Sequence, residues 1–170
     1  MDGGTEPAPE ELARRAYALA VRLLGSRDHS SAELTRKLAQ RDVDEASIAT
    51  ALEELREANY LNDERFAHAL AEQRLRGGRG PMAIRAKLRE RGIDTALADE
   101  AVEALGVDWV EQAGEVLASR FDAAAIADDE PRGRARIARF LQGRGFTSGD
   151  ALRALDEARR RIERGAPNGG

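Results

Sequence analysis

The apolar positions of this chain repeat in three registers. Leu34, Leu38 and Val43 return as Ile84, Leu88 and Ile93, and again as Ile137, Leu141 and Phe146, at offsets of 50 and 53 residues. The segment after each follows suit: Ile48, Ala51, Leu52 and Leu55 match Ala98, Ala101, Val102 and Leu105, then Ala151, Ala154, Leu155 and Ala158. In all three the spacing is i, i+3, i+4, i+7, which lays one apolar stripe along one face of a helix. A further helix precedes each pair, carrying Ala16, Leu19, Ala20 and Leu23, then Phe66, Ala69 and Leu70, then Trp109, Ala113, Val116 and Leu117. No stretch alternates as a strand does.

The pattern predicts an all-α chain of three tandem three-helix repeats, at 10–61, 62–107 and 108–164. Residues 1–9 and 165–170 lack periodicity and read as disordered tails. A three-helix unit of roughly 50 residues buries little surface by itself. The repeats are therefore expected to stack, share cores and form an elongated, curved molecule.

Local chemistry supports these helix boundaries. Ser30 with Glu33, and Asp108 with Glu111, have capping-box spacing, and Thr147 with Asp150 is a weaker version. Gly80-Pro81 suits a helix start, since proline at the first helical position loses no needed donor. Gly25, Gly92 and Gly145 stand where left-handed C-terminal caps are expected. The segment FDAAAIADDEPRGR reads as a long, partly acidic loop.

Composition narrows the function classes. Of the 170 residues 42% are hydrophobic but only 4% aromatic, so Ala and Leu carry most of the packing. The absence of cysteine excludes disulfides, thiolate catalysis and cysteine-ligated metals. No apolar run approaches the roughly 20 residues of a membrane span and no signal segment is evident, so a cytoplasmic location is expected. His29 and His68 have no HExxH-type spacing and read as ordinary polar residues, His29 in a loop and His68 in a helix. No phosphate-binding GxxxxGK[ST] is present, and RGGRG at 76–80 reads as a helix–helix loop. Carboxylates such as Asp44, Glu53 and Glu57, or Asp94, Asp99, Glu100 and Glu103, fall on solvated helix faces. The chain therefore reads as a non-enzyme, with no cofactor and no metal.

The sharper signal is charge segregation. The net charge is −4, with Lys37 and Lys87 the only lysines. Basic residues gather in the middle helices, while the third helices of the first two repeats are acidic. Arg36, Lys37 and Arg41 lie on or at the end of the first middle helix, Arg79, Arg85, Lys87, Arg89 and Arg91 in the stretch that begins just before the second, and Arg132, Arg134, Arg136, Arg139 and Arg144 on or at the end of the third. These are the candidate contacts to a phosphate backbone or an acidic protein surface. Only Arg41, Arg91 and Arg144 share a register, near helix C-termini, where a cation also complements the macrodipole. Trp109, Phe121, Phe140 and Phe146 fall at or beside apolar positions and read as core rather than as platforms for bases.

The chain resembles the RecX family. The resemblance rests on Ser30-x-x-Glu33-Leu34, Leu38-x-x-Arg41, and Tyr60-Leu61-Asn62-Asp63 leading into Arg65-Phe66-Ala67. It continues through Gly80-Pro81, Leu88-x-x-Arg91-Gly92-Ile93 and Trp109 to Arg139-Phe140-Leu141-x-x-Arg144-Gly145-Phe146, covering roughly residues 10–160. One departure is Arg41-Asp42, where the other repeats have Arg-Gly. The resemblance implies three tandem three-helix units and a monomeric regulator of the RecA recombinase filament. It implies binding in the filament groove and inhibition of ATP hydrolysis, strand exchange and coprotease activity, hence restraint of recombination and the SOS response. Some members of the family also bind single- or double-stranded DNA. The residues themselves leave two other readings open: a DNA-binding helical regulator acting without RecA, and a helical scaffold for other proteins.

Overall fold

The computed structural model describes residues 8–165, which form α1 (Pro9–Leu24), α2 (Ser31–Ala39), α3 (Glu45–Glu57), α4 (Asp63–Arg76), α5 (Pro81–Glu90), α6 (Thr95–Glu103), α7 (Trp109–Arg120), α8 (Ala123–Ala127), α9 (Pro131–Gly143) and α10 (Ser148–Glu163). No strand occurs among the described residues. Most of the expected tails, 1–7 and 166–170, lies outside them. Helix α1 begins one residue ahead of expectation, because Pro9 occupies its first turn, where a missing N–H costs nothing. Among the described residues no helix is long and apolar enough to cross a membrane.

The stripes read from the pattern are buried or half-buried, with one exception. In α4 the buried set is Phe66, Ala67, Leu70 and Ala71, and Ala69 faces out. Caps hold most of the starts. Ser30 and Glu33 form a complete capping box, whereas Asp108 accepts from the Val110 and Glu111 amides without a return bond. Gly92 and Gly145 are left-handed, at φ +84° and +97°. Gly25 is not: it stays helical at φ −66°, and the Ser26 hydroxyl takes up the Leu23 carbonyl instead.

The expectation of shared cores is met only in part. Three separate clusters form: Leu34, Leu38, Ile48, Leu52 and Leu55 in the first unit, Phe66, Leu70, Ile84, Leu88 and Val102 in the second, and Leu117, Ile137, Leu141, Phe146 and Leu155 in the third. Extensive helix packing stays within units, α1 on α3, α4 on α6 and α7 on α10. Trp109 alone packs against two clusters. The reason is that the surfaces where units meet carry polar and charged side chains.

At the first seam the Ser30 hydroxyl donates to the Arg91 carbonyl, and the Ser31 amide donates to Asp63 at 2.7 Å. Arg91 and Arg27 both donate to Glu33, whose side chain is 5% exposed. Burial opposes ionisation of Glu33, but the bonds from Arg91, Arg27 and the Ser30 amide outweigh it and hold the carboxyl at about 2. His29, expected as an ordinary loop residue, is buried here. Its Nδ1–H donates to the Arg27 carbonyl at 2.9 Å, its Nε2 has no partner among the described residues, and burial lowers its pKa.

The second seam repeats the scheme. The Gly80 and Met82 amides donate to the Arg144 and Gly145 carbonyls, each at 2.9 Å, and Arg144 donates to the Gly77 carbonyl at 3.2 Å. An Arg-Gly pair ending one middle helix thus docks on the start of the middle helix before it. The fit admits only glycine, since a Cβ on Gly92 would collide with Ala32 and one on Gly145 with Ala83. Arg41 turns back to its own Lys37 carbonyl at 2.8 Å, and Asp42 takes the left-handed conformation at φ +58°.

The third unit holds four helices rather than three. The segment read as a loop contains α8, capped by Asp122 and anchored by buried Ile126. Arg159 of α10 donates to the Ala127 carbonyl at 3.2 Å and to Asp129 at 2.7 Å, and Arg134 reaches Asp129 at 3.2 Å. These bonds close the segment onto α9 and α10.

Candidate functional site

Helix α9 starts cleanly because Glu130 is extended and Pro131 takes the first turn. It buries Ile137, Ala138 and Leu141. At about 100° per residue, Arg132, Arg136 and Arg139 fall within about 60° of one another on the opposite side. All three are exposed, and no described carboxylate lies within ion-pairing distance of any of them. Arg139 folds back on the Ala135 carbonyl at 3.2 Å.

Beside this face, Phe121 and Phe140 meet edge to face, with centroids 5.3 Å apart. Arg120 and Arg136 lie over Phe121 at 5.8 and 5.7 Å, and Arg144 over Phe140 at 5.3 Å. Arg120, Phe121, Asp122, Ala125, Arg136 and Phe140 line an open cleft of about 380 Å³. Asp122 is occupied as the cap of α8. The arrangement offers guanidinium forks with free donors beside half-buried rings, which suits phosphate oxygens or surface carboxylates. It holds no nucleophile.

The other candidate cations are largely spoken for. Arg85 bonds Asp99 at 2.5 Å, Lys87 bonds Glu90 at 2.8 Å, and Arg134 bridges Asp129 and Asp156. Bonds from Arg159 and Arg134 hold the Asp129 carboxyl below its usual range. Arg91 and Arg144 serve the seams, and Arg41 caps α2. Arg36, Lys37, Arg79 and Arg89 have no carboxylate partner among the described residues, but they are dispersed over α2, the α4–α5 loop and α5. Among the candidate cations, α9 aligns three unpaired arginines along one face.

Two features escaped the sequence reading. Arg120 joins the α9 cluster from the end of α7, a relation that its neighbour Phe121 alone could have suggested. Glu64, His68 and Glu100 converge from α4 and α6, although no metal-ligand set was expected. The spacing of Glu64 and His68 was visible, but their third partner was not.

Three small helical units joined by polar seams, the third carrying an arginine face, define a tandem helical-repeat protein. Comparisons with known proteins are specific about which one. The RecX first three-helix domain matches residues 16–55, and the RecX second three-helix domain matches residues 62–102. The chain is 40% identical over 146 residues to the regulatory protein RecX of Halorhodospira halophila, covering 86% of this chain and 89% of that one. It is 40% identical over 139 residues to its namesake in Chromohalobacter salexigens, covering 82% and 90%. A crystal structure of RecX from Lactobacillus salivarius superposes with a TM-score of 0.78 at 21% identity, covering 88% of this chain and 97% of that one. The chain belongs to the RecX family.

Proposed function

We propose that this protein is a regulator that binds the RecA nucleoprotein filament and lowers its ATPase, strand-exchange and coprotease activities, so restraining recombination and the SOS response. The observation that carries this reading is similarity to proteins named regulatory protein RecX along nearly their whole length, 89% and 90% for the two relatives above. The geometry supports it: three units in series, joined at polar seams, can lie across successive protomers of a helical polymer. Bound in that way, the protein resists the rearrangement that turnover or filament growth requires. It acts by binding alone, as a monomer, in the cytoplasm where the filament forms. The test is ATP hydrolysis by RecA on single-stranded DNA while the protein is titrated in. A progressive fall is expected, and an unchanged rate at stoichiometric ratios would refute the proposal.

A second reading, a DNA-binding regulator acting without RecA, is favoured by one observation, the unpaired arginine face of α9. It predicts tight binding to naked DNA with a steep salt dependence. Capture by RecA filaments and by bare DNA, measured side by side, separates the two readings. Capture by neither would leave the helical scaffold.

A further inference from the structure

We propose that Glu64, His68 and Glu100 form a binding site for a divalent transition-metal ion, with Zn²⁺ as the reference case, that clips α4 to α6 in the middle unit. The inference does not rest on the RecA reading. Glu64 and His68 are four residues apart on α4, so both project from one face of that helix. Glu100 comes from α6, which packs on α4. One ligand atom from each residue lies within 4.8 Å of the other two. Tetrahedral coordination with bonds of about 2.0–2.1 Å places donors roughly 3.4 Å apart. The two glutamates, with three side-chain torsions each, close that difference by small rotations.

The surroundings leave this trio uncompensated. Two nearby carboxylates have cations, Asp99 with Arg85 and Glu72 with Arg76. Glu64, His68 and Glu100 have neither an ion pair nor a side-chain hydrogen bond to another described residue. Two carboxylates thus come together beside an imidazole with no Lys or Arg paired to either, and a divalent cation relieves their repulsion. One nitrogen and two oxygen donors suit Zn²⁺, Co²⁺ or Ni²⁺ rather than Ca²⁺ or Mg²⁺, which favour all-oxygen shells. A fourth position remains for water or for a donor from a partner. Since α4 and α6 are the framework of the middle core, the ion would stiffen the unit that both seams depend on.

The experiment uses the full chain, stripped of metal with a chelator and then dialysed. Zn²⁺ is titrated against a chromophoric competitor, and Co²⁺ is followed by its visible absorption. One ion per chain is expected, with a thermal unfolding midpoint that rises with Zn²⁺. His68→Gln and Glu100→Gln should each weaken binding by about tenfold or more, since even outer-shell changes cost that much, and should abolish the rise. These side chains are exposed or half-buried, so the variants are expected to fold, which circular dichroism checks. His29, the other histidine, is buried at the first seam and serves as an internal contrast. Absence of stoichiometric binding would overturn the site. So would binding that survives in both variants.

Discussion

Arg91 and Glu33, 58 positions apart, are joined by two parallel bonds, Nε to Oε1 at 2.7 Å and Nη2 to Oε2 at 2.9 Å. Arg91 also lies 4.9 Å over the Phe66 ring, so one guanidinium ties the first seam to the second core. Removing one partner of a buried pair leaves the other charge unmatched, at a cost of about 3–5 kcal/mol. Arg91→Ala leaves Glu33 with Arg27 and the Ser30 amide, so urea unfolding is expected to show a smaller loss, about 1–3 kcal/mol. Glu33→Gln combined with Arg91→Ala should lose less than the two single variants together. Strict additivity would show that the two residues are not coupled.

The same carboxylate sets an acid limit. Its folded pKa, about 2, lies below its ordinary 4.5, so the unfolded chain binds more protons between those values. Stability linked to Glu33 is therefore full above pH 4.5 and drains away as pH falls towards 2, by about 3 kcal/mol in all. His29 adds a separate loss at higher pH. Burial lowers its pKa below the ordinary 6.5, so protonation favours the unfolded state as pH falls through and below that value. Denaturation followed from neutral to acid pH should show both declines in the native chain. Arg91→Ala should diminish the lower one.

How much of this was legible in the sequence depends on the range of the interaction. Leu34, Leu38 and Val43 with their echoes announced α2, α5 and α9, because burial of a stripe is a local, periodic demand. Helix α8 was not legible: five residues bury only Ile126, and Arg159, some thirty positions away, holds the following turn. The seams hid for the same reason, since Ser30 and Arg91 each look ordinary until the fold joins them. Among the arginines, nothing local separates Arg85 from Arg136. Asp99 arrives beside the first, and no acid arrives beside the second. The charge pattern marked the arginine-rich helix of the third unit, and folding decided which of its cations are free.

Two glycines offer a contrast of opposite sign. Gly145 is left-handed at φ +97° and packs on the Ala83 backbone, so Gly145→Ala is both strained and obstructed. It should destabilise by more than the roughly 1 kcal/mol of the backbone conformation alone. Gly114 lies inside α7, and a Cβ there would meet nothing within 4 Å. Gly114→Ala should therefore stabilise by about 0.5–1 kcal/mol. Thermal unfolding of the two variants decides the matter, and shifts of the same sign would contradict this account of the second seam.

The arginine face makes the last and most selective prediction. Replacing Arg132, Arg136 and Arg139 together by glutamine removes three unpaired cations and no described ion pair, so stability should hardly change. If that face contacts phosphates, affinity for a single-stranded oligonucleotide should fall, and the slope of log K against log salt should flatten by roughly 0.7 per lost contact, about 2 in total. A control pair, Arg85→Gln with Arg134→Gln, removes cations already bonded to Asp99, Asp129 and Asp156 and should leave the slope unchanged. Measuring anisotropy at several salt concentrations for both variants separates a local site from net charge. If the control flattens the slope as much per charge, binding follows total charge and α9 has no special role. If only the triple variant flattens it, the free face of α9 is where the polyanion lies.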